Sequence, residues 1–289
     1  MRQAKITRRE FVGGLTAIGL LGAGRPLAAG PAAPHVAPFP LVDYHVHCDK
    51  PMTLEKLAEI ARQRGVKFGI VEHAGTKDNK YPRVLSTDED LNAYLAELEG
   101  TPFYRGIQAE YNNWMGCFSK PVLARLDYVL TDAMTFPDQG GRPVRLWDGN
   151  LAIDDPQEFM DRYVDYHVEK ISREPIDILA NPTYLPPAVA TQYDALWTPR
   201  RMGKIIDAAL AHRVALEINA GSRLPRPAFL KMAKEAGATF SFGSNIRGPN
   251  VGKLDYCLEM AQTLGLTPKD IFTPAPPGQK PIQRRPPAR

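Results

Sequence analysis

Short apolar runs alternate with longer amphipathic ones from residue 41 to residue 264. The short runs are 41–47 (LVDYHVH), 67–73 (KFGIVEH), 103–111 (FYRGIQAEY), 127–133 (DYVLTDA), 176–182 (IDILANP), 214–220 (VALEINA) and 239–245 (TFSFGSN). Most are rich in Val, Ile, Leu, Phe or Tyr, which predicts buried parallel strands. Over 53–64, Leu54, Leu57, Ile60 and Ala61 recur at helical spacing, with Glu55, Lys56, Glu59 and Arg62 on the other face. Ser86 followed by Glu89 predicts a capped helix start, running to Glu99 and ended by Gly100. Asp155-Pro156 with Glu158 predicts another: a cap, a proline at the first position, an acid in the first turn. Further helices are predicted over 201–212, 227–236 and 253–264, while 136–154 is rich in turn residues and reads as a long loop. Seven strands alternating with helices predict an α/β fold, either a β/α barrel or a doubly wound sheet. No Gly-rich phosphate loop follows the first strand, which argues against nucleotide binding.

The two ends of the chain differ from this pattern. Residues 1–29 place basic residues first, then an apolar stretch from Phe11 to Gly22, then small residues, the layout of an export signal. Arg8-Arg9 before Phe11 resembles a twin-arginine signal, which implies the twin-arginine machinery as a partner and a periplasmic or otherwise exported destination. The apolar stretch is short and glycine-rich, so no stable membrane span is expected. A Pro/Ala-rich linker over 30–40 leads into a domain over 41–273, and the Pro-rich basic stretch 274–289 reads as a disordered or extended tail.

Charge and cysteine content narrow the function classes. Residues 1–29 hold five of the 36 basic and one of the 32 acidic residues, so the remainder carries 31 of each. A balanced mature chain gives no electrostatic reason to expect nucleic acid. Cys48, Cys117 and Cys257 are too few and too scattered for a disulfide framework.

Polar residues gather at the strand ends: His45, His47 and Asp49; Glu72 and His73; Glu110; Asp132; Asn181; Glu217 and Asn219; Ser244, Asn245 and Arg247. In a barrel these ends meet at the face where active sites are built. His45 and His47 are two apart, so on a strand they share a side, and Glu110 can add an oxygen. Nitrogen plus carboxylate ligation suits one divalent ion, zinc, manganese or iron. His73 is open to several roles: second metal, proton transfer, substrate contact or core histidine. His167 and His212 lie in helical segments and read as structural, and His35 lies in the linker.

These segments resemble the PHP family, the polymerase and histidinol phosphatase domain. DYHVHCD (43–49) is similar to its opening motif, VEHA (71–74) to its second histidine motif, and GIQAEY (106–111) to the strand with its bridging glutamate. DYVLTDAM, IDILANP, LEINA and FSFGSNIRGPNVGKLD follow in family order, so the resemblance covers roughly 41–270. It implies a distorted seven-stranded β/α barrel that hydrolyses phosphoesters with up to three metal ions. It also implies His45, His47 and Glu110 as ligands of one metal and His73 as a ligand of another. The chain departs from the family at four positions: Met134 and Asn181 stand for histidines, Asn245 for an aspartate and Arg247 for a histidine. What remains implies one metal on His45, His47 and Glu110, with Asn245 able to add a neutral oxygen. Asp132 is then a fourth ligand or general base, and His73 a proton-transfer group. Arg247 stands where a metal would, able to grip an anion with two donors, with Asn181 and Asn219 as further substrate contacts.

The leading expectation is an exported metal-dependent hydrolase acting on a small anionic, phosphoester-like substrate through metal-activated water. Competing readings are a degenerate barrel that binds a small anion without turnover, an amidohydrolase-like amide or lactone hydrolase, and a structural role. The amidohydrolase pattern would add later-strand histidines and a final aspartate, which this chain lacks.

Overall fold

The computed structural model describes residues 37–284. The expected export signal and His35 lie outside the described residues. In chain order the elements are β1 (Val42–Val46), α1 (Leu54–Arg64), β2 (Lys67–Ala74), α2 (Asp88–Glu97), β3 (Tyr104–Ala109), α3 (Lys120–Leu123) and β4 (Tyr128–Thr131). They continue with β5 (Thr135–Pro137), β6 (Pro143–Arg145), α4 (Pro156–Arg173), β7 (Ile178–Leu179), α5 (Tyr193–Leu196), α6 (Pro199–His212) and β8 (Ala215–Asn219). The last are α7 (Pro227–Glu235), β9 (Phe240–Gly243), α8 (Asp255–Thr263) and α9 (Pro281–Arg284).

Seven parallel strands close into a barrel in the order β1-β2-β3-β4-β7-β8-β9, so the barrel, not the doubly wound sheet, is what forms. The seam between β1 and β9 rests on one pairing, Asp43 with Phe242. Asp43 reinforces it from within: its carboxylate accepts the amide N–H of Ser244 across the seam at 2.9 Å and that of His45 at 3.1 Å. Two hydrophobic layers follow from strands buried on both faces. The larger lies between strands and helices; the smaller fills the barrel around Tyr44, Val71, Tyr128, Leu130 and Ile178. Tyr128 occupies that interior because Gly106 has no side chain there; a Cβ at Gly106 would collide with its ring.

The predicted helices form, with ends within two residues of those expected. Thr53 caps α1 through the N–H of Lys56, Gly65 ends it at φ +63°, and Asp155 caps α4 through Gln157 and Glu158. The start of α2 falls one residue later than Ser86: Thr87 accepts the N–H of Asp90, and Asp90 reaches back to the N–H of Ser86. The stretch expected to be a long loop contains the antiparallel pair β5–β6. Each strand is three residues long, too short for a two-residue alternation to show, and Asp138 closes the turn by accepting the N–H groups of Gly140 and Arg142. The stretch expected to be a disordered or extended tail carries α9: Ile282 is buried, and the Lys280 ammonium donates to the carbonyls of Ala124 and Leu126. Among the described residues no helix is long and apolar enough to cross a membrane, and all three cysteines are free.

Candidate metal centre

Every barrel strand points its C-terminal end to the same mouth, and four aromatic rings stand in a row there. Ring centroids are 5.4 Å apart for His45 and His47, 4.7 Å for His47 and His73, and 3.6 Å for His73 and Tyr81. The first two come from β1 and the residue just after it, the third from β2, and Tyr81 from the loop between β2 and α2.

His45 is fully buried and both its ring nitrogens are engaged. Nδ1 lies 2.7 Å from Oε1 of Glu217 on β8, and Nε2 lies 3.1 Å from Oε1 of Gln108 on β3. The Gln108 amide is oriented by Asp132, whose Oδ2 accepts from its Nε2 at 3.3 Å. With oxygen at both nitrogens, His45 is a double donor facing a carboxylate. Burial is the largest single influence and would lower its pKa, but the charge and hydrogen bond of Glu217, joined by the charges of Asp132 and Asp43, together raise it. Burial conversely pushes the Glu217 carboxyl up, and His45, the Asn181 amide and the Asn219 side chain together hold it below its ordinary value. Gly243 leaves room for the pair, since a Cβ there would strike both Glu217 and His45.

His47 is the opposite case. It is 4 % exposed, and neither ring nitrogen has a hydrogen-bond partner. Burial, then the charges of His73, His45 and Arg247, push its pKa well below 6.5, against a lesser pull from the Gln108 side chain, which lies outside hydrogen-bond geometry. It is a neutral imidazole with a free lone pair. Its ligand atoms lie within 4.8 Å of those of Glu72 and His73, and among the described residues this trio could hold a metal ion.

His73 is presented to that trio by Glu110. Its Nδ1 lies 2.7 Å from Glu110 Oε1, which leaves Nε2 for a ligand, the carboxylate–histidine arrangement of metal sites. The other Glu110 oxygen accepts the Tyr81 hydroxyl at 3.0 Å. The expected set of His45, His47 and Glu110 is therefore not what the structure gathers. His45 is turned to Glu217, Glu110 is turned to His73 and Tyr81, and Glu72 joins His47 and His73 instead.

The remaining expected residues divide between this mouth and its supports. Asp132 sits at the end of β4, and burial followed by the negative charge of Glu110 pushes its carboxyl up to about 6. Asn181 (φ +49°) donates its backbone N–H to Glu217 and accepts from the Asn219 side chain at 3.2 Å, so both asparagines serve Glu217. Asn245 (φ +44°) is exposed and donates its backbone N–H to the His45 carbonyl at 3.0 Å. Arg247 pairs with Asp49 at the rim, half-exposed. Sequence reasoning assigned no role to Glu72, Gln108, Glu217 or Tyr81. Glu72 and Glu217 stood among the polar strand ends, while Tyr81 lies in a loop whose path no local pattern reveals. Compared with protein-family models and with curated proteins, the chain matches none.

Proposed function

We propose that the chain is an exported, metal-dependent hydrolase of PHP type, with one divalent ion held by His47, Glu72 and His73. The observation that carries this reading is His47: a buried imidazole with both nitrogens unpartnered, beside a carboxylate and a second histidine, at the active-site mouth of a closed parallel barrel. Leaving such atoms unpartnered costs about 1–3 kcal/mol each, a cost that a ligand would offset. Two nitrogens and one oxygen suit zinc, manganese or iron.

A divalent ion there supplies Lewis-acid charge and a water activated near neutral pH. Glu110 holds His73 with its ligand nitrogen outward. Asp132, with a carboxyl pushed up to about 6, is the group we assign to accept a proton near neutrality. Arg247 is close enough to disfavour a charge on His47, so its guanidinium offers two donors to an incoming anion. Such an arrangement favours a small phosphoester-like substrate.

The test is metal content per chain after expression with the native signal and without chelator, for wild type and His47→Ala/His73→Ala. About one ion per chain, lost in the double variant, supports the reading, and a phosphatase and esterase screen then follows. No metal on either protein overturns it. A second reading, anion binding without turnover, is favoured by His45, which keeps both nitrogens on protein oxygens and so withholds a ligand; bound metal with no turnover in the screen would select it.

A further inference from the structure

We propose that Tyr81 is a positioning residue of the metal centre: its hydroxyl fixes Glu110, and Glu110 fixes the tautomer and orientation of His73. This rests on the metal reading above, but it concerns Tyr81, a residue that sequence left unassigned.

The geometry is a relay of three side chains. The Tyr81 hydroxyl donates to one oxygen of Glu110 at 3.0 Å, and the other oxygen faces His73 Nδ1 at 2.7 Å. Glu110 is 2 % exposed, so water cannot readily replace either partner. An ionised carboxylate only accepts. With Oε2 taken by the phenol, Oε1 is directed at His73 and requires a proton on Nδ1, which places the lone pair on Nε2. The Tyr81 ring adds a second constraint by stacking on His73 at 3.6 Å and 8°.

Tyr81 is itself held in place. Its loop is pinned at its root by Leu85, whose N–H donates to the His73 carbonyl at 2.8 Å while Gly75 donates back to Leu85 at 2.9 Å. Asn113 clamps Thr76 through both ends of its side chain, at 3.3 and 2.8 Å. From β6, Arg145 sets its guanidinium 5.3 Å from the Tyr81 ring centre and donates to the Lys80 carbonyl at 2.7 Å. Three separate anchors for one loop phenol are more than a surface residue needs.

Replacing the phenol by Phe keeps the stack and removes the one donor to Oε2. The carboxylate is then free to rotate, and the other tautomer, with its proton on Nε2, becomes accessible. That tautomer cannot ligate through Nε2. Loss of such an outer partner typically lowers metal affinity by about 10- to 100-fold.

The experiment is zinc affinity by competition with a chromophoric chelator, on the wild-type chain, Tyr81→Phe and, as a control phenol at the same mouth, Tyr111→Phe, whose hydroxyl only reaches the Gly141 carbonyl. Long-range proton–nitrogen spectra of His73 are recorded beside it on the zinc-free proteins. The expected result is a roughly 10- to 100-fold weaker zinc complex for Tyr81→Phe alone, with a single Nδ1–H tautomer in wild type and a mixture in that variant. Equal zinc affinity and an unchanged tautomer overturn the role of Tyr81 and leave the metal reading standing. No zinc on the wild-type chain overturns the metal reading itself, and the consequence claimed for Tyr81 falls with it.

Discussion

Two buried polar clusters lie among the elements around the barrel mouth, and they are built on opposite terms. Lys170 on α4 and Glu174, the residue just after that helix, pair at 2.9 Å with side chains 1 % and 4 % exposed. The same ammonium donates to the Tyr111 carbonyl at 2.6 Å, and the second Glu174 oxygen accepts the Trp114 indole at 2.9 Å. That knot ties the segment after β3 to α4, and both partners of the pair have further hydrogen bonds. Around His47 the accounting does not close: both its nitrogens, and nearby the Asn181 side-chain nitrogen, have no partner. A completed knot stabilises the chain that contains it. An open one weakens the chain and keeps its binding capacity for something else.

The comparison is broken most strongly on the closed side. Lys170→Met removes the ammonium from both the buried Glu174 carboxylate and the Tyr111 carbonyl, which should destabilise the fold by about 3–5 kcal/mol. Glu174→Leu in the same background should recover part of that loss, because the buried carboxylate that had faced the ammonium is gone. Denaturant midpoints of the two singles and the double form the cycle; simple additivity would show that the knot is not a unit.

One turn from Lys170, His167 should contribute to the acid limb of stability. It is fully buried, and burial first, then the Lys170 charge, pushes its pKa down from 6.5 to about 4, against the bond from Nδ1 to the Tyr163 carbonyl. Below pH 6.5 the unfolded chain binds this proton and the folded chain does not, so stability is full above that pH and falls toward pH 4. The loss approaches about 3 kcal/mol. Asp132, raised to about 6, works in the other direction over part of this range. The measurement is therefore the difference between wild type and His167→Phe across pH 7 to 4, in which Asp132 cancels. Parallel pH curves would refute the assignment.

The seven strands and the gathering of polar residues at their ends were legible because buried parallel strands and their polar ends leave a local mark. LVDYHVH and KFGIVEH show both at once. Which of these polar residues stand together was not legible. Whether His45 or Glu72 stands beside His47 depends on Glu217, 172 residues further along the chain, taking His45 Nδ1. Two residues on one side of a strand have the same direction but not the same partners. Tyr81 and the β5–β6 pair were missed for a related reason: a loop phenol has no period, and three-residue strands have no room for one.

On the open side the expected effects on stability are smaller and opposite in sign. His47→Leu removes two unpartnered buried nitrogens, so the metal-free protein should be as stable as wild type or up to about 1 kcal/mol more stable. Stabilisation by added zinc, expected in wild type through mass action if the proposed site binds it, should vanish in the variant. A His47→Leu protein that is strongly destabilised without metal would mean that His47 has a structural bond, and the contrast between the two clusters would collapse.

The smallest effect belongs to the rim. Arg247 and Asp49 are 48 % and 38 % exposed at their side chains, and such pairs contribute about 0–1 kcal/mol. Arg247→Ala should therefore leave the denaturant midpoint nearly unchanged. If the guanidinium receives the anion, the same substitution should weaken inhibition by inorganic phosphate about tenfold at low salt. Added salt should shrink that ratio, because an exposed charge is screened within roughly 10 Å at 0.1 M. Phosphate inhibition that is equal in both proteins at low salt would leave Arg247 as nothing more than the partner of Asp49. The open character of the mouth would then rest on the histidines alone.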